Sequence, residues 1–137
     1  MQLKQLLNLQ KGVVMQGHIS NQIIQECRKK LVLSKQELLN RFRTAQREFT
    51  HVEKSGDEAD QSVAHIAEHS FLVNQERIRT QLLEIEMALA RMEQGTFGIC
   101  EETEEIIEAE RLLAIPWTRL SIEGAELREA VSRKYAR

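Results

Sequence analysis

Asp57 and Asp60 stand three residues apart, just after Gly56, where a helix would be expected to restart. By residue type they are a helix N-cap and a first-turn acid, both favoured by the positive end of the helix dipole. As carboxylates they can pair with cations, but their spacing alone does not say which. His65 and His69 are four apart and share one helix face, with His51 a candidate on an opposing helix. That spacing can hold a metal. Without a third placed ligand, solvated surface imidazoles are the expected state. Cys27 and Cys100 do not make a disulfide framework. The run Glu101-Glu102-Thr103-Glu104-Glu105 could take a cation, but reads as a solvated helix start. Arg77 and Arg79 fall midway along a second helix and read as surface partners for acids of the first. There is no nucleotide loop, nucleophile elbow or paired His–acid constellation. The chain is therefore not expected to be an enzyme.

These residues sit in a chain of 137 with 29% charged residues, 4% aromatics and one proline. That balance suits long solvated helices and suits a sheet poorly. A net charge of −2 argues against a general nucleic-acid coat, which normally carries a basic excess. No apolar run approaches the ~20 residues needed to cross a bilayer. The start, MQLKQLLNLQKGVV, has no apolar stretch followed by a small-residue cleavage site. A reduced, cytoplasmic chain is the expectation.

The elements that must position the candidates follow from a seven-residue repeat. Ile24, Leu31, Leu38, Ala45 and Val52 form one series, widened by Phe42 and Phe49. Ser20 is a plausible N-cap ahead of it. Ser55-Gly56-Asp57 interrupts the series, with Gly56 as helix stop. Ala64, Phe71, Ile78, Ile85 and Met92 form the second series, widened by Leu82 and Leu89, and Gly95 should end it. Two helices with one apolar seam each, joined by a short turn, bury those seams by folding back on each other. The spacing predicts small residues, including Ala64 and Ala67, in the seam near the turn. Eight Lys/Arg against four Asp/Glu in residues 22–54 face three Arg against fourteen Asp/Glu in 57–110. That contrast favours antiparallel pairing, though each exposed pair contributes only about 0.2–1 kcal/mol. The fold class expected is all-α. Residues 1–19 are an N-terminal segment near the hairpin base, residues 20–95 a long coiled-coil hairpin with its tip at 55–62, and residues 96–137 a small globular region with a final helix. In that last region, Thr103 to Ala114 reads as a short helix and Glu123 to Tyr135 as the final one. Its expected core is Leu112, Leu113, Trp117, Leu120, Ile122 and Leu127.

The stretch Gly95-Thr-Phe-Gly-Ile-Cys100, followed by Arg111-Leu-Leu-Ala114, Pro116, Thr118 and Leu120, resembles the zinc-finger region of the DksA/TraR family. Members commonly show G-x-[YF]-G-x-C-x-x-C and then R-L-x-A-x-P-x-x-x-x-C-x-x-C. Asp57-Glu-Ala-Asp60-Gln-Ser62 looks like the family's D-x-x-D-x-A tip, with Ser62 in place of the alanine. The resemblance covers residues 20–137. It implies a transcription regulator that binds RNA polymerase and places an acidic coiled-coil tip, Asp57, Asp60 and Ser62, in the secondary channel. Arg77 falls where the family often has a polymerase-contacting arginine. The resemblance also implies a monomer with no direct sequence-specific DNA binding and no membrane partner. Two other functions compete: a structural or adaptor coiled coil, and a Gre-type transcript-cleavage factor, which also has an acidic tip but carries a sheet domain after its hairpin.

The chain departs from the family at its cofactors. The four cysteine positions of the finger are Cys100, Thr103, Ser121 and Gly124. One thiolate does not make the four-ligand tetrahedron of a structural zinc, so the frame is degenerate and no zinc is expected. The basic residues that grip ppGpp, the stringent-response alarmone, align with Glu84, Ile115 and Ala125. None of these pairs with phosphate, so ppGpp binding is not expected to carry over.

Overall fold

The computed structural model describes residues 19–54 and 61–136. Four helices lie among them: α1 (Asn21–Lys54), α2 (Gln61–Gln94), α3 (Ala109–Ala114) and α4 (Ile122–Tyr135). The chain is all-α, and the only pairing of extended backbone among these residues is a single bridge between Ile99 and Ile106.

Local chemistry sets the ends of the long helices. Ser20 caps α1: its Oγ accepts from Ile23 N at 3.2 Å and its carbonyl from Ile24 N at 3.1 Å. At the end of α2, Gly95 adopts φ +76. Thr96 N then donates to Arg91 O and Gly95 N to Met92 O, which satisfies carbonyls the helix leaves open. The expected stop at Gly56 and cap at Asp57 lie outside the described residues, as do residues 1–18.

The described chain divides into two compact units. Residues Val32–Glu84 form one, made only of α1 and α2. Leu38, Gln75 and Ile78 are buried in it, and Phe42, Ala45, Phe49, Phe71 and Leu82 half-buried. The rings of Phe49 and Phe71 stack with centroids 4.2 Å apart, and the Arg79 guanidinium lies 5.5 Å above the Phe42 ring. Seven steps forward on α1 thus match eight steps back on α2, the signature of antiparallel pairing. The seam of α2 begins at Phe71. Ala64 and Ala67 are exposed, with all of 61–70. The larger Val63 and Ile66 are exposed in this stretch as well, whereas Ala88 further along the same helix is fully buried, so side-chain size does not decide burial here.

The other unit contains residues through Leu31 and from Ile85 onward. Its core is Ile19, Cys27, Phe97, Cys100, Ile107 and Leu112, with Ile23, Ile24, Met92, Ile106, Leu113 and Leu120 packed against it. Cys27 Sγ donates to Leu112 O at 3.4 Å and Lys30 Nζ to Leu113 O at 2.8 Å, so α1 closes the open carbonyls of α3. Gly98 has φ +84, and a Cβ there would run into Ile19 Cδ1. Only glycine meets both conditions without strain.

Here the structure corrects two expectations. Helix occupies only Ala109–Ala114 of the stretch from Thr103. Residues 98–107 instead fold back on themselves: Cys100 N donates to Glu105 O and Ile107 N to Gly98 O, both at 2.7 Å. The β-branched Ile99, Ile106 and Ile107 suit extended backbone, and Glu104 makes the turn at φ +59. The second correction concerns the core. Trp117 is 37% exposed, Leu127 49% and Ile122 51%. The inward side of α4 at its start is instead Gly124, set against Cys100.

Candidate functional site

Two places carry the candidate residues. Near the hairpin turn, Ser62 is exposed in the first turn of α2, and Asp57 and Asp60 lie outside the described residues. Arg77 is exposed on the same helix, fifteen residues after Ser62, or about 22 Å at 1.5 Å per residue. The two are therefore too far apart to belong to one contact point. His51, His65 and His69 are exposed, and among the described residues no three His, Cys, Asp or Glu side chains gather as a metal site. Arg79 is engaged with the Phe42 ring and with Glu76 at 3.9 Å.

The second place is where residues 98–107 meet the N-terminus of α4. Ser121 is the N-cap of α4, its Oγ accepting from Gly124 N at 3.0 Å. Cys100 is 1% exposed and packs against that cap. A Cβ on Gly124 would run into Cys100 Sγ, and would stand 3.3 Å from Ser121 Oγ and 3.4 Å from Glu102 Cβ. Thr103 Oγ1 accepts from Glu105 N at 3.3 Å, which shapes the turn. The structure thus brings Cys100, Ser121 and Gly124 into one cluster, with Thr103 hydrogen-bonded to Cys100.

Electrostatics at this cluster are unusual for a buried thiol. Burial pushes the Cys100 thiol up, but hydrogen bonds from the Ser121 and Thr103 side chains, and then from their backbones, outweigh it. The result is a value of about 6. Cys27, also buried, goes the other way: burial raises it and Glu26 adds to that, against the lowering effect of Lys30. Around the cluster runs a set of ion pairs. Arg128 meets Glu102 Oε1 at 2.8 Å and Glu101 Oε2 at 3.6 Å, and Arg119 meets the same Glu101 oxygen at 3.7 Å. The hydrogen bond to Glu102 leads in raising the Arg128 value above its ordinary level. Sequence reasoning took the glutamate run as solvated and did not single out Arg128. The available signal was Arg128 one helical turn after Gly124, with Glu101 and Glu102 between Cys100 and Thr103. Gln75 was also missed. It is buried at a seam position, donates Nε2 to Phe42 O at 3.3 Å, and leaves Oε1 without a partner among the described residues.

The fold and this cluster define a class: a helical chain whose C-terminal unit keeps a four-position finger frame. Residues 95–130 match the prokaryotic dksA/traR C4-type zinc finger. The chain is 34% identical over 107 residues to the RNA polymerase-binding transcription factor DksA of Caulobacter vibrioides, spanning 77% of this chain and 75% of that one. It is 34% identical over 122 residues to an uncharacterized protein of Aquifex aeolicus, spanning 85% and 83%. Among solved structures, transcription factor DksA2 from Pseudomonas aeruginosa superposes with a TM-score of 0.77 at 32% identity, covering 85% of this chain and 90% of that one. The chain belongs to the DksA/TraR family. Its donor set does not fit the family's metal, however. One thiol, two hydroxyls and a residue with no side chain do not supply tetrahedral zinc, and Cys100 Sγ closes off the space beside Gly124.

Proposed function

We propose that this protein is a transcription regulator that binds RNA polymerase and inserts the turn of its hairpin into the enzyme's secondary channel. The observation that carries the reading is the match to a polymerase-binding factor over 107 residues, more than three quarters of the chain. A 36-residue finger alone would not support it. In this reading Asp57 and Asp60 act on cationic groups or magnesium at the channel's inner end, and Ser62 keeps the approach close. Arg77 adds a separate contact outside it. The chain makes and breaks no bond; it shifts the stability of promoter complexes from the cytoplasm, as a monomer and without reading DNA sequence.

Neither family cofactor is required. The finger holds its fold without zinc, and ppGpp finds no basic grip at Glu84, Ile115 or Ala125. Asp57→Asn with Asp60→Asn, tested in a purified promoter assay, should abolish the effect on transcription while leaving polymerase binding nearly intact. Arg77→Ala should weaken binding several-fold. A double variant as active as the parent would remove the tip from the mechanism. Transcript cleavage stimulated by the parent protein would move it to the Gre-type class.

A further inference from the structure

A structural zinc does mechanical work: a dication held by anionic ligands from two segments ties those segments together. In this chain the two segments are the 100–103 turn and the start of α4, and they stay together although three of the four ligand positions lack a thiol. Three observations show what joins them. Glu101 and Glu102 occupy the two positions between Cys100 and Thr103. Arg128, one helical turn beyond Gly124, reaches back to both: Nε donates to Glu102 Oε1 at 2.9 Å, and Nη2 lies 2.8 Å from that oxygen and 3.6 Å from Glu101 Oε2. Arg119, two residues before Ser121, closes the network from the other side. Its Nη1 lies 3.7 Å from the same Glu101 oxygen, and its carbonyl accepts from Glu101 N at 3.0 Å.

We propose that Arg128, backed by Arg119, takes the place of the metal as the cross-link of this finger, with the charges inverted. Anions now sit on the first segment and the cations on the second. The cations are covalently part of the chain and need no supply from solution. The inference rests on the metal-free reading of the finger. An exposed ion pair alone is weak, but here two arginines share one glutamate and the side chains are only 32–41% exposed, the networked case in which such pairs do contribute.

Trp117 is the single tryptophan and belongs to this unit, so its fluorescence reports the finger's melting in the full chain. Zinc content and sensitivity to chelator are measured first. Less than a tenth of a zinc per chain, and a midpoint unchanged by chelator, are expected; stoichiometric zinc with chelator-induced unfolding would overturn the metal-free reading itself. With zinc absent, Arg128→Ala and Glu102→Gln should each lower the Trp117 midpoint by about 3–5 °C. The double variant should fall no further than Arg128→Ala alone, and added salt should lower the parent more than either variant, which keep the Arg119–Glu101 pair. Midpoints unmoved by Arg128→Ala, or fully additive losses, would overturn the cross-link while leaving the metal-free reading intact. The sharpest arm restores the ligands with Thr103→Cys, Ser121→Cys and Gly124→Cys. If arginine and metal do the same work, that variant loaded with zinc should lose less than a third of the parent's penalty when Arg128→Ala is added. An undiminished penalty would count against the proposal. Should the restored variant fail to fold, the cycle between Arg128 and Glu102 decides alone.

Discussion

The hairpin unit and the finger unit solve the same problem in opposite ways. Residues Val32–Glu84 bury a repeating seam, in which each layer resembles the next: Leu38, Phe42 and Phe49 on one helix, Phe71, Ile78 and Leu82 on the other. The finger has no repeat. Ile19, Cys27, Phe97, Cys100, Ile107 and Leu112 come from separate stretches and meet only once. A repeated seam spreads its stability over many small contacts, so a single loss is diluted. A converging core concentrates stability on a few side chains and must also satisfy polar groups that meet at the same point. The hairpin accordingly tolerates a buried amide with an unpaired oxygen, whereas the finger surrounds its buried thiol with hydrogen bonds.

The largest test of that contrast is Leu112→Ala. Leu112 is fully buried in the finger core, and the change should cost about 2–5 kcal/mol. Urea denaturation followed by Trp117 fluorescence should show it, while helical circular dichroism, dominated by α1 and α2, keeps a later transition. Loss of both signals together would break the distinction between the units. Next in size is a pH effect. The Cys100 thiol is depressed in the folded chain from its ordinary value near 9 to about 6, so folding favours the thiolate. Its contribution is full above about pH 9, declines as pH falls, and is gone below about pH 6. The Trp117 midpoint of the parent should therefore rise between pH 6 and 9, and thiolate absorbance should titrate near 6. In Cys100→Ser that part of the rise disappears. The smallest effect is a gain. Gln75→Leu removes a buried acceptor that has no partner among the described residues and should stabilise the hairpin by about 1 kcal/mol. A loss of stability instead would show that the amide contributes more than its unpaired oxygen costs.

The same contrast explains what the sequence made legible. The seam from Phe71 to Met92, the cap at Ser20 and the stop at Gly95 are local patterns, set by side chains within a turn or two of each other. All are readable in the sequence itself. The exposed Ala64 and Ala67, with the larger Val63 and Ile66 exposed beside them, show where periodicity overreaches: position in a repeat does not by itself bury a residue. The finger was legible only as a frame. Its four positions can be aligned, but the part of the short hairpin from Thr103 to Ile107 reads as helix in the sequence, since Ile106 and Ile107 pattern equally well either way. Arg128 and Glu102 pair across twenty-six residues, a distance over which no periodicity speaks.

Ile19 against Gly98 has a consequence for how the chain is made. Ile19 leaves the ribosome roughly eighty residues before the turn it must cover, so the finger's wall is synthesised long before its floor. From an open chain, closing that contact means closing a loop of about eighty residues, a non-local step that the antiparallel pairing of α1 with α2 shortens. A segment cut at 95–130, the length that matches the finger family, would lack Ile19 and Cys27 from its core. In this chain the finger is not a portable module: it is finished by residues that precede it.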